Sequence, residues 1–151
     1  MIRIVKATRR SLPGLLPLMR TLREEMDVAG DSASLMKSYA QMMNRSMAKV
    51  HIIMATEGRF PIGYVAGGFS PDLSMMGPVF WIQELYIDKP YRGGGVLRAM
   101  LDWTRGFVLA RGGVGIEVRL RRIDIDLVTL AEALRFEPTG RQIFRLDFDL
   151  D

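Results

Sequence analysis

Apolar and polar positions alternate at the start of the chain. In "MIRIVKA", Ile2 and Ile4, with Lys6 in register, share one side of an extended segment. The period then changes. Ser11, Pro13 and Pro17 mark the start of a helix, where a proline in the first turn loses no hydrogen bond, and Leu15, Leu18, Met19, Leu22 and Met26 follow at helical spacing. "DVAGDS" breaks this helix. Asp31, Ser32 or Ser34 caps a second one, whose apolar stripe is Leu35, Met36, Tyr39, Met42, Met43 and Met47. Such a stripe is either core or the lining of an adaptable cleft, because thioethers are flexible and polarizable.

Residues 50–56, "VHIIMAT", predict a strand, "EGRFPIG" a turn and "YVAGGFS" the returning strand of an antiparallel hairpin. After the loop "PDLSMMGP", residues 79–88 ("VFWIQELYID") form a long segment rich in β-branched and aromatic residues. Three glycines follow, then a helix carrying Leu97, Met100, Leu101, Thr104 and Val108 on one face, ended by "RGG" at 111–113. "VGIEVRL" is a further strand with Ile116, Val118 and Leu120 on one side. Asp124 or Asp126 caps a short last helix bearing Leu127, Ala131 and Leu134, and "PTG" turns the chain at 138–140. In "QIFRLDFDL", Phe144, Leu146, Phe148 and Leu150 alternate with polar residues, which predicts a closing strand with one wet face. The order β-α-α-β-β-β-α-β-α-β predicts an α/β protein of the α+β type. Its sheet is mixed and mostly antiparallel, flanked by helices, with one parallel β-α-β crossover at the glycines.

Composition narrows the chemistry. With 151 residues, 48% apolar and 25% charged, the chain is expected to form one globular domain over 1–151. No apolar run is long enough to span a bilayer, and the N-terminus lacks the core of a signal peptide, so no membrane association and a cytoplasmic location are expected. The absence of cysteine excludes disulfides, thiolate metal sites and a cysteine nucleophile. The single histidine, His51, is expected to be a strand residue without a chemical role, and no metal site is expected. A net charge of +4, with short clusters at Arg9–Arg10 and at Arg119, Arg121 and Arg122, fits solvated rims or attraction to a small anion. It lacks the basic stripe with interleaved aromatics that marks a nucleic-acid binder.

The glycines in "DKPYRGGGVLRAM" raise the functional question. Glycine before a helix costs backbone entropy. It also removes the side chains that would screen the unpaired, partly positive N–H groups of a helix start. Strand, glycines and helix therefore read either as a phosphate cradle or as a tight turn needing positive φ. The P-loop pattern lacks its Lys-Ser or Lys-Thr here, and the dinucleotide fingerprint meets Arg98 at its third glycine. "LYIDKPYRGGGVLRAML" instead resembles motif A of the GNAT superfamily of N-acetyltransferases, with Arg92, Gly95 and Leu97 at its three defining positions. The resemblance implies acetyl-CoA as cofactor, its pyrophosphate on the main-chain N–H groups of Arg92, Gly93, Gly94, Gly95, Val96 and Leu97. It implies that the pantetheine arm pairs with backbone around Leu85, Tyr86 and Ile87. It also suggests a homodimer. Against the family pattern, Leu97 replaces a small residue, Arg135 a glycine, Asp124 an asparagine, and Ala131 the tyrosine that protonates the departing thiolate. That acid is then absent, or supplied by another residue or by water.

Acyl transfer from a thioester to an amine needs a neutral amine, a base and a donor to the carbonyl oxygen. Glu84 is the candidate base, directly or through water; its alternative is an exposed strand carboxylate paired with an arginine. Leu85 and Ile87 read as core, with Glu84 and Tyr86 on the other face. By analogy the Ile87 N–H faces the thioester oxygen. Tyr86 is either a proton donor to the thiolate or a packing residue. The reading is direct acetyl transfer to a primary amine of a small molecule or peptide. The alternative is a non-catalytic GNAT-like module that binds coenzyme A or a protein partner. Residues 27–34 and 137–142 are expected to set the acceptor; Asp27 and Asp31 either attract a cationic amine or are ordinary caps and loop charges.

Overall fold

The computed structural model describes residues 1–28, 30–119 and 134–148, which belong to two compact units, Met1–Arg119 and Leu120–Asp151. The first unit holds a five-stranded sheet in the order β1 (Ile2–Lys6), β2 (His51–Glu57), β3 (Phe60–Asp72), β4 (Gly77–Ile87), β5 (Gly115–Val118). The first three pairings are antiparallel and β4–β5 is parallel, the mixed sheet that the element order predicts. The crossover between β4 and β5 is α3 (Val96–Ala110).

Both faces of the sheet are covered, which is why its central strands read as near-continuous apolar runs. On one face, α1 (Leu12–Glu25) and α2 (Ser32–Met43) pack Leu15, Leu18, Met19, Leu35 and Tyr39 against Ile52, Tyr64, Ala66 and Tyr86. On the other, α3 packs Val96, Met100, Phe107 and Val108 against Ile53, Ala55, Val65, Phe80 and Ile82. Asp31 caps α2: its two carboxylate oxygens accept from the Ser34 N–H at 2.8 Å and the Ser34 hydroxyl at 2.9 Å. Pro13 sits at the start of α1, as expected, but Pro17 lies inside the helix and so removes an intrahelical bond that a first-turn proline would not. α2 ends at Met43, so Met47 is not part of its stripe and is 82% exposed. No described helix is long and apolar enough to cross a membrane.

In the second unit, the described residues 134–148 form neither helix nor strand. The expected closing strand is therefore not formed over residues 142–148, where Phe144, Leu146 and Phe148 are exposed. Alternation shows that a segment has an apolar side. A strand also needs a neighbour for its N–H and C=O groups, and the alternation does not supply one. The expected last helix lies outside the described residues except for Leu134. Of the basic clusters, Arg9 and Arg10 form a 3₁₀ turn before α1, and Arg119 covers the Trp81 ring at 3.8 Å. Arg121 and Arg122 lie outside the described residues.

His51 opens β2 in an aromatic box. Its ring lies 5.7 Å from Phe69, 6.4 Å from Phe80 and 5.2 Å from Phe107. Lys6 and Arg111 both approach the Phe107 ring. Burial first, then the charges of Lys6, Lys49 and Arg111, push the imidazole pKa down to about 4 from its usual 6.5. The folded protein thus holds His51 neutral where the unfolded chain takes up a proton. Stability attributable to His51 is complete above pH 6.5 and declines as the pH falls toward 4. Urea titrations should show a loss of about 2 kcal/mol across that window, below the full linkage value because solvent screens part of the shift. His51→Gln should flatten this slope relative to wild type; an unchanged slope would mean that other groups carry it.

Candidate active site

β4 contains one residue more than its partner. Ala66 pairs with Glu84 and Gly67 with Ile82, so Gln83 is a bulge. The bulge resets the alternation. Phe80 and Ile82 before it, and Leu85 and Ile87 after it, all join the core under α3. Glu84 is turned to the α1/α2 side, and Tyr86 is buried there. Opposite the bulge, a Cβ on Gly67 would run into the Trp81 carbonyl and lie 3.1 Å from the Ile82 Cα. Glycine is required there for close approach of two main chains.

The described parallel pairing runs from Val79↔Gly115 to Ile82↔Val118 and stops at the bulge. Farther along, the Asp88 N–H donates to the Ile62 carbonyl at 2.8 Å. Antiparallel pairing alternates in twos, so the main-chain groups of Tyr86 face β3 and those of Leu85 and Ile87 face away from it. The Ile87 carbonyl accepts from Arg92 Nε at 2.8 Å. Arg92 also approaches the Tyr86 ring at 5.4 Å and Glu25 at 4.0 Å, so its guanidinium braces the strand end.

A 3₁₀ turn, Lys89–Tyr91, then leads into the glycines. The Tyr91 hydroxyl donates to Glu57 at the end of β2, tying the turn to the sheet. Gly93 and Gly95 have φ of 82° and 85°, left-handed values that favour glycine, and Gly95 is the N-cap of α3. Gly94 is not in that region. A Cβ would meet nothing within 4 Å at Gly93 or Gly95, and at Gly94 only the Tyr91 carbonyl at 3.9 Å. Among the described residues, the N–H groups of Gly93 to Leu97 donate to no protein acceptor. The turn accounts for two of the three glycines; the third leaves bare main chain facing open space. Leu97 packs against the α3-side core, so its bulk is turned away from these amides. Together they form a set of donors at the positive end of a 15-residue helix, a fit for a diphosphate.

Glu84 sits among phenols. Tyr64 on β3 donates to Glu84 Oε1 at 3.0 Å, and Tyr39 on α2 makes a short hydrogen bond to the same oxygen. Both rings are buried. Burial first, then the Glu84 charge, pushes both phenol pKa values up, so both remain protonated donors at neutral pH. Glu84 Oε2 has no protein partner among the described residues. The carboxylate borders a cavity of about 250 Å³ whose lining includes Arg23, Asp31, Leu35, Tyr39, Met42, Gly67 and Gln83. Tyr86 does not line it; its ring is 4% exposed, and burial raises its phenol pKa. Sequence reasoning missed Tyr39 and Tyr64, placing the first in a helix's apolar stripe and the second without comment in the returning strand of the hairpin. The available signal was that a buried phenol needs a partner.

No protein-family model matches the sequence, and no curated protein matches it significantly. Solved structures do match. A possible acetyltransferase from Clostridium difficile 630 superposes with a TM-score of 0.84 at 16% identity, covering 99% of each chain. An aminoglycoside N-acetyltransferase in complex with CoA gives 0.84 at 15% identity, over 97% of this chain and 95% of that one. A ribosomal-protein-alanine N-acetyltransferase from Brucella melitensis biovar Abortus 2308 gives 0.80 at 13% identity, over 99% and 100%. This chain has the fold of the GNAT acetyltransferases.

On the GNAT fold, the departures noted in the sequence take physical form in two places. Leu97 is accommodated in core. Arg135, at the family's glycine position, has φ of 68°, the backbone conformation that glycine adopts without strain. Asp124 and Ala131 lie outside the described residues. The strand bulge itself rests on Gly67. Gly67→Ala should lower stability by about 2–3 kcal/mol in urea titrations, because main chain cannot yield as a side-chain end can. A change within about 0.5 kcal/mol would show that the bulge tolerates a side chain there.

Proposed function

We propose that the protein is an acetyl-CoA-dependent N-acetyltransferase that passes acetyl directly to a primary amine of a small molecule or peptide. The observation that carries this reading is Glu84. It is fixed by two phenols, one residue before the strand edge that leads to the open glycine corner. The amides of Gly93 to Leu97 hold the diphosphate, and the outward main-chain groups of Leu85 pair with the pantetheine arm. When bound, acetyl-CoA supplies the activated acyl group. The Ile87 N–H donates to the carbonyl oxygen as charge develops.

Glu84 takes a proton from the acceptor ammonium through Oε2, the oxygen its tyrosines leave open, directly or through one water. Tyr39 and Tyr64 hold the carboxylate in place and cannot compete for the proton, since neither phenol ionises at neutral pH. Tyr86 packs beneath Arg92. A departing thiolate is a weak enough base to leave without an enzyme acid and take its proton from solvent.

Glu84→Gln should lower turnover by about 10²–10⁴ with acetyl-CoA binding retained. Turnover equal to wild type across the pH range removes Glu84 from the chemistry. Gly94→Glu tests the cradle more cleanly than a change at Gly95, because Gly94 is not held at positive φ. Saturating acetyl-CoA should raise the wild-type Tm by about 5–10 °C. Gly94→Glu should melt normally alone and lose that shift. A full shift in this variant would place the diphosphate elsewhere. Acetyl-CoA binding with no release of free coenzyme A on any amine of a panel would favour a binding module over an enzyme.

A further inference from the structure

The end of the sheet opposite the glycine corner gathers positive charge. Lys6 closes β1, Lys49 precedes β2, and Arg111 is the C-cap of α3. Lys6 Nζ lies 5.0 Å and Arg111 Cζ 3.9 Å from the centre of the same Phe107 ring. The two cations therefore stand within about 9 Å of each other, less than the screening length of about 10 Å at 0.1 M salt. Burial first, then Arg111 and Lys49, pull the Lys6 pKa down, so this ammonium is held at a cost. Lys6, Lys49 and Arg111 make no ion pair among the described residues. The carbonyl end of α3 accounts for a cation at Arg111, but not for a second and a third.

His51 is an independent sign of the same demand. It lies beside the same ring, 5.2 Å from Phe107, is 8% exposed, and its Nδ1 is buried without a hydrogen-bond partner among the described residues. Buried polar atoms are rarely left unpaired. β3 and β4 present the Phe69 and Phe80 rings to it, and the charges that act on it are those of Lys6, Lys49 and Arg111. Cations collected without a carboxylate match an oxyanion. A helix C-terminus by itself disfavours an anion, so side chains must supply the attraction. A dianion gains more than a monoanion from three positive groups, and the arginine fork meets phosphate oxygens in pairs. Lys49 and Arg111 are exposed, so a ligand reaches them from solvent. We propose that Lys6, Lys49 and Arg111 form a second anion site, which takes the single phosphate group of a small molecule. The 15 residues of α3 separate it from the glycine corner by about 22 Å. Neither the site nor its ligand depends on the proposed activity.

His51 is the single histidine of the chain, so in protein without a histidine tag its imidazole NMR signals read the cluster directly. At pH 7.5, inorganic phosphate titrated against sodium chloride of equal ionic strength should move those signals saturably, with half-saturation on the order of 1 mM. Sulfate, which keeps its double charge at low pH, should raise the His51 pKa from its depressed value, because it offsets the cations that lower it. Arg111→Gln should weaken the phosphate response at least about tenfold. Lys49→Gln, at an exposed position, should weaken it too and serves if the arginine variant does not fold. Gly94→Glu, which blocks the glycine corner, should respond as wild type. Equal responses to phosphate and chloride, no response, a response unchanged in both cluster variants, or one lost in Gly94→Glu overturns the proposal. Vesicles of phosphatidic acid that move these signals when inorganic phosphate does not would also overturn it, in favour of a membrane contact.

Discussion

One extra residue in β4 organises this molecule. Without the bulge at Gln83, a strand whose Phe80 and Ile82 face α3 would also send Glu84 into that apolar core, where an unpaired carboxylate is costly. The bulge hands α3 the side chains of Leu85 and Ile87 instead and turns Glu84 toward α1 and α2. The close approach of Gly67 to the Trp81 carbonyl accommodates it. The described pairing with β5 stops at the same place. A single irregularity thus positions the acid and marks where outward-facing main chain begins.

The other half of the site depends on an unfilled requirement. A helix start leaves N–H groups without partners, and most proteins satisfy them with a capping side chain. α3 has no side-chain cap and no acidic residue in its first turn. Asp31, in contrast, caps α2 through the Ser34 N–H. The two helix starts differ: one is closed by the protein, and the other leaves its N–H groups open, which is the basis of the proposed diphosphate site. Glu25, braced with Arg92, lies too far into solvent for that pair to add much stability.

Much of the scaffold was legible because both faces of the sheet are covered and three helices keep a clean period. The glycine corner was legible because three consecutive glycines have few uses. The bulge was not, since "VFWIQELYI" reads as an unbroken strand and nothing local marks Gln83 as the extra residue. Tyr39 and Tyr64 were hidden for a related reason. Each falls on an apolar stripe, and their shared partner lies 45 and 20 residues away. The closing strand was over-read: "QIFRLDFDL" alternates well, yet pairing is a tertiary property that residues 142–148 do not show. His51 was read as a strand residue, and its aromatic box gives it a role in pH-dependent stability that pattern alone does not reveal.

The claim on which the account turns is that the amides from Gly93 to Leu97 are held open for a diphosphate. Amide-resolved NMR during titration with coenzyme A reads those groups one by one. The account requires the Gly93 to Leu97 resonances to move most, together with Leu85 and Ile87 on the strand edge. Saturable binding that leaves those five amides unmoved, with the largest shifts elsewhere in the chain, would contradict it.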